Sequence, residues 1–134
     1  MYRIVIFASG SGTNAENIIK YFKDSSLVTV NYVISNNPKA GVLEKAKKLG
    51  VRSGVYNRKE ISSESFLKFL KKEADFIVLA GFLLKVPDSI IEAFPESIIN
   101  IHPALLPKYG GKGMYGMHVH EAVVSNKEPF SGIT

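Results

Sequence analysis

Tyr2-Arg-Ile-Val-Ile-Phe-Ala8, followed by Ser9-Gly-Ser-Gly-Thr-Asn-Ala15, is the stretch that decides the fold. Its first part is a short apolar, β-branched run, the composition of a strand buried on both faces of a parallel sheet. The run stops at a glycine turn, after which Ile18, Ile19, Tyr21 and Phe22, following Asn17, place apolar groups at helical spacing. Asp24-Ser25-Ser26 ends that helix, and a second apolar run over residues 28–34 completes a βαβ unit.

Outward from this unit the alternation repeats. Asn36-Asn37-Pro38 breaks the second strand, residues 42–49 read as a helix closed by Gly50, and residues 51–56 as a third strand. Ser62-Ser63-Glu64 precedes a helix over 66–72, and Phe76-Ile-Val-Leu-Ala80 is a strand that ends at Gly81. Pro87 and Asp88 open a helix over 89–94. Residues 97–101 form another strand, stopped at His102-Pro103 because a residue before proline favours extended geometry over helix. The glycine-rich segment 109–116 reads as a mobile loop, residues 119–125 as a helix, and Ser131-Gly-Ile-Thr134 as the start of a further strand. Strands alternating with helices predict an α/β, Rossmann-like fold, a mostly parallel sheet with helices on both faces. The 134 residues are expected to form a single domain, incomplete at its C-terminal end.

Composition narrows the function classes. With 46% apolar and 22% charged residues the chain is that of a folded globular protein, without a transmembrane run or signal peptide, and a cytoplasmic location is expected. The absence of cysteine excludes disulfides, a thiolate nucleophile and cysteine-ligated metal sites. The net charge of +5 comes mainly from the first fifty residues, which carry seven basic and three acidic groups. Lys20, Lys23, Lys45, Lys47 and Lys48 fall on predicted helices without interleaved aromatics, so they read as a solvated face, not as a nucleic-acid or membrane surface.

Two constellations carry chemistry. Gly10-Ser-Gly-Thr-Asn-Ala15 matches G-x-G-x-x-G/A between a strand and a helix, where backbone amides and the helix N-terminus receive a phosphate. A dinucleotide would require an acidic residue at the end of the second strand, where Ser35, Asn36 and Asn37 stand instead, so a phosphate monoester fits better than NAD. The ending of a nucleoside triphosphate-binding P-loop is also missing. In Asn100-Ile101-His102, strand alternation puts the amide and the imidazole on one face. An amide donor can stabilise a tetrahedral oxyanion there while the imidazole moves a proton or adds positive charge.

His102-Pro-Ala-Leu-Leu-Pro-Lys-Tyr109 after Asn100-Ile101, together with Ser9 to Asn14 and Leu79-Ala-Gly-Phe82, resembles the signature of the folate-dependent formyltransferases, over essentially the whole chain. The Ser-Gly-Ser-Gly-Thr-Asn loop and the Leu-Leu-Pro-Lys-Tyr run are most similar to the branch that acts on glycinamide ribonucleotide in purine synthesis. The resemblance implies an enzyme that transfers a formyl group from 10-formyltetrahydrofolate, as co-substrate, to the glycinamide amine, with no metal. It implies that Gly12, Thr13 and Asn14 hold the substrate phosphate and that Asn100 and His102 flank the formyl carbon. Phe82, Leu83, Leu84, Lys85 and Val86, with Asn100, would form part of the folate pocket.

The chain departs from the family pattern in places. The family often has Arg where Leu84 or Lys85 stands, and residues 111–116 are longer than its commonest form, which shifts the alignment of His118. His118 and His120 lack a convincing third metal ligand and read as loop-to-helix packing or exposure, with one of them in reach of the substrate. The family's catalytic Asp belongs beyond the last strand start, so impaired catalysis is expected, and with it association of copies or instability from an unpaired sheet edge. The rival readings are a non-catalytic domain that binds a phosphate ligand and an NAD-binding module.

Overall fold

A computed structural model describes residues 1–134. The chain divides into two compact units, Met1–Ile99 and Asn100–Thr134. The first contains β1 (Tyr2–Phe7), α1 (Thr13–Phe22), β2 (Val28–Ser35), α2 (Gly41–Lys48), β3 (Arg52–Val55), α3 (Arg58–Ile61), α4 (Glu64–Glu73), β4 (Phe76–Leu79) and α5 (Asp88–Ala93), and β5 (Ile98–Asn100) begins at its end. The strands form one sheet in the order β3-β2-β1-β4-β5. β1 lies in parallel between β2 and β4, pairing Ile6 with Val33 on one side and with Val78 on the other, and β3 joins β2 in parallel. This is the expected parallel α/β fold.

Alternation along β1 builds two cores. Ile4 and Ile6 face a layer with Ala15 and Ile19 of α1 and Val42 and Ala46 of α2. Val5 and Phe7 face the opposite layer, with Ile61, Phe66, Leu70 and Ile90 from α3, α4 and α5. Val5, Ile6 and Phe7 are fully buried, and each such side chain contributes about 1.5–3 kcal/mol relative to exposure. A central strand apolar on both sides needs a helix layer on each, so the run 2–8 does dictate the layering.

Local signals place the helix ends. Gly50, at φ +73, follows the last turn of α2 as its sequence position suggests. Ser63 caps α4 by accepting from Phe66 N–H at 3.2 Å. The short helix α3 is an addition to the sequence-based expectation, and its cause is a capping box. Asn57 Oδ1 accepts from Glu60 N–H at 2.8 Å while Glu60 Oε1 accepts from Asn57 N–H at 3.0 Å.

The second unit, Asn100–Thr134, carries α6 (Gly116–Ser125), three residues longer at its start than expected. Its small core gathers Ala104, Tyr109, Val119 and Val123. Residues 131–134 do not form the anticipated strand, although Thr134 exchanges two backbone hydrogen bonds with His102, at 2.7 and 3.0 Å. No helix of the chain is long and apolar enough to cross a membrane.

Candidate active site

The turn between β1 and α1 is held from behind by α2. Val42 N–H donates to the Gly10 carbonyl at 3.1 Å, and the Lys45 ammonium donates to the Ser11 carbonyl at 2.7 Å. Gly12 has φ +78, a region that disfavours side chains, and a Cβ there would stand 2.5 Å from that of Val42. Glycine is therefore required both for the backbone conformation and for the approach of α2. Gly12 also occupies the N-cap of α1, where it supplies no side-chain acceptor. The Glu16 N–H closes the first turn on Gly12 O at 2.8 Å. The amides of Thr13, Asn14 and Ala15 precede the first intrahelical bond and stand, with the positive end of the helix dipole, where an anion would be favoured.

Charge around this end favours an anion. Glu16, in the first turn, is neutralised by Lys20 at 2.6 Å and lies 3.9 Å from Lys45; the Lys20 hydrogen bond holds its carboxyl below the usual range. Lys45 thus departs from the solvated-lysine expectation, because it is anchored to the loop. At the end of β2 no carboxylate is present. Ser35 is buried and accepts from Asn37 N–H at 3.2 Å, while Asn37 Oδ1 accepts from Lys39 N–H at 2.9 Å. These side chains close their own turn, and a ribose diol would find no acid there.

The segment after β4 is divided in its roles. Val86 belongs to the apolar core, and Phe82 and Leu84 pack against it, Phe82 meeting Phe7 edge to face at 5.2 Å. Leu83 and Lys85 are exposed. A ligand on this segment would therefore meet main-chain groups and the side chains of Leu83 and Lys85, while the other three side chains hold the backbone in place.

In the second unit, Asn100 is exposed and His102 half-buried. The strand ends at Asn100, one residue earlier than expected, and His102 beyond it exchanges two backbone hydrogen bonds with Thr134. His102 Nε2 lies 2.5 Å from the Tyr109 carbonyl. A carbonyl oxygen only accepts, so Nε2 carries the proton and Nδ1 of a neutral ring is left as the acceptor. Tyr109 is itself fixed by its hydroxyl, which donates to Glu128 at 2.7 Å, and Glu128 also pairs with Lys108. Those two contacts, Lys108 first, hold the Glu128 carboxyl below its ordinary range. His118 and His120 are exposed on α6, His118 edge to face with Tyr115, and no third metal-ligating side chain joins them.

Sequence reasoning did not reach the Tyr109–Glu128 support or the Lys45 anchor. The first joins residues nineteen apart across a loop and the second residues thirty-four apart, and neither carries a motif.

The family model described as formyl transferase matches residues 2–134. The chain belongs to this formyltransferase family. The formyltransferase chain is 38% identical to a chloroplastic phosphoribosylglycinamide formyltransferase of Vigna unguiculata, over 98% of this chain and 45% of that protein. It is 30% identical to the phosphoribosylglycinamide formyltransferase of Bacillus subtilis, over 83% of this chain and 60% of the relative. Among solved structures, the phosphoribosylglycinamide formyltransferase of Anaplasma phagocytophilum superposes with a TM-score of 0.85 at 32% identity, covering 99% of this chain and 62% of that one. That of Bacillus halodurans gives 0.83 at 34% identity, covering 98% and 69%. The chain spans about half the length of the curated relatives it matches.

Proposed function

We propose that this formyltransferase chain binds glycinamide ribonucleotide through its phosphate and serves formyl transfer from 10-formyltetrahydrofolate to the glycinamide amine, in purine biosynthesis. The observation that carries the reading is the uncapped N-terminus of α1, where Gly12, Thr13 and Asn14 offer main-chain donors to a dianion in a turn with no acid for a dinucleotide. The names of the relatives supply the substrate class.

In this reading the amine nitrogen attacks the formyl carbon and a C–N bond forms. The carbonyl oxygen becomes an oxyanion, to which the Asn100 amide donates, a contribution of about 10²–10³-fold. The bond from that carbon to the folate nitrogen then breaks. The proton lost by the amine passes to the departing nitrogen, with His102 Nδ1 as the acceptor that carries it, worth about 10²–10⁴-fold. The tautomer that the Tyr109 carbonyl enforces supports this role. Main-chain groups of residues 82–86, with Leu83 and Lys85, would meet the folate. The transfer requires neither a metal nor a covalent enzyme intermediate, and a cytoplasmic or plastid compartment suits it.

The test is a formyl-transfer assay with glycinamide ribonucleotide and, in parallel, the riboside that lacks only the phosphate. Formylation of the ribonucleotide with little of the riboside is expected. Binding of the ribonucleotide without turnover would reduce the reading to a phosphate-ligand domain, and saturable NADH binding would replace it.

A further inference from the structure

Three strands of the first unit end at one level, and a single hydroxyl joins the loops that leave them. Ser9, directly after β1 and its buried Ala8, is 5% exposed. Its N–H donates to the Gly81 carbonyl at 3.1 Å, its Oγ donates to Asn36 Oδ1 at 2.5 Å, and the same Oγ accepts from Leu83 N–H at 2.9 Å. The loops after β1, β2 and β4 are thereby tied to one side chain.

A serine hydroxyl has one proton and two lone pairs. With its proton committed to Asn36, the orientation of Oγ is set, and a lone pair is presented to Leu83. Leu83 as a residue is 54% exposed, yet its amide is held by the buried Ser9. That amide therefore follows Ser9, and Ser9 follows the Gly10–Gly12 turn, which immediately succeeds it and is clamped by Val42 and Lys45.

We propose that Ser9 is a positioning residue that transmits the state of the anion-binding turn to the backbone at Leu83, so that occupation of one ligand segment presets the other. This rests on the proposed function, in which Gly12, Thr13 and Asn14 take the phosphate and residues 82–86 meet the folate. The physical basis is that a buried donor or acceptor robbed of its partner loses its hydrogen bond without regaining water. A shift of the turn must therefore carry the Leu83 amide with it or break the bond.

Backbone amide spectra recorded during titration with glycinamide ribonucleotide test this in the chain as it stands. The amides of Gly12, Thr13 and Asn14 are expected to move, and that of Leu83 with them along the same saturation curve. In Ser9→Ala the turn amides should still respond while the Leu83 amide loses most of its shift. Asn36→Ala, which frees the hydroxyl from its orienting acceptor, should weaken the Leu83 response, and Asn36→Asp, which keeps the acceptor, should restore it. The Asn36 pair carries the test should Ser9→Ala fail to fold. A silent Leu83 beside moving turn amides, or a Leu83 response undiminished in Ser9→Ala and Asn36→Ala, overturns the role of Ser9 and leaves the phosphate site standing. A folded spectrum in which none of these amides moves overturns the phosphate site itself and the Ser9 role with it.

Discussion

Val42 closes over Gly12 so tightly that a methyl group added to Gly12 would lie 2.5 Å from Val42 Cβ and 2.6 Å from its Cα. The nearest obstacle thus includes main chain, and trimming the valine cannot remove it. Gly12→Ala should destabilise the chain by about 2–4 kcal/mol, combining overpacking with the left-handed backbone penalty. Val42→Ala in the same chain should not rescue it. Urea unfolding of the two single variants and the double variant checks this, and full recovery in the double variant would mean that the backbone of α2 yields.

Arg3 and Asp75 form a two-pronged pair at the start of the sheet, Nε donating at 3.0 Å and Nη2 at 2.8 Å, while Arg3 N–H donates to the same carboxylate. These hydrogen bonds from the Arg3 side chain and then its backbone hold the Asp75 carboxyl at about 2, against an ordinary 3.8. A carboxyl whose value is lowered by folding stabilises the fold above its unfolded value and loses that contribution as pH falls through the folded one. Both side chains are over a third exposed, so the ion pair itself is worth under about 1 kcal/mol. The stability gap between the native chain and Asp75→Asn should be constant above about pH 5 and shrink as pH falls from about 5 through about 2, as read by denaturant unfolding at each pH. A gap that widened on acidification would contradict the pairing.

The contact of His102 Nε2 with the Tyr109 carbonyl predicts one neutral tautomer. Long-range nitrogen–proton spectra of the imidazole at neutral pH should show the proton on Nε2. Glu128→Gln weakens the support of Tyr109, and so should broaden or shift the His102 signals without moving those of the exposed His118 and His120. A proton found on Nδ1 in the native chain would remove His102 as the acceptor in the proposed transfer.

For that transfer, Asn100→Ala removes an oxyanion donor, and its cost should fall on kcat by about 10²–10³-fold with KM little changed. His102→Ala should cost about 10²–10⁴-fold. Steady-state formyl transfer by both variants, with kcat and KM determined separately, checks these effects. A rise in KM alone would make Asn100 a ground-state contact.

What was legible in the sequence was what depends on neighbours in the chain. The run 2–8 announced a doubly covered strand because every side chain in its centre is apolar, and the glycine turn announced a helix N-terminus because both lie within six residues. The box formed by Asn57 and Glu60 was equally local, and α3 could have been read from it. By contrast, the partners of Ser9 lie 27 and 74 residues away, and only the order of strands in the sheet brings them together. The same holds for residues 82–86, the segment proposed to meet the folate: alternation marks Phe82, Leu84 and Val86 as one face, but that this face turns to the core and leaves Leu83 and Lys85 outside is decided by α4 and α5. Asn100 and His102 were singled out through their motif, whereas the backbone pairing of His102 with Thr134 has no sequence signal.

The central claim is that a phosphate dianion sits on the N-terminus of α1. It is tested most directly by calorimetric titration of the chain with glycinamide ribonucleotide and with the riboside that lacks only the phosphate. Charge-assisted hydrogen bonds from main-chain amides predict that the ribonucleotide binds at least about 10-fold more tightly, and that inorganic phosphate competes with it. Equal affinity for the two ligands, or no heat with either from a folded chain, would contradict the claim.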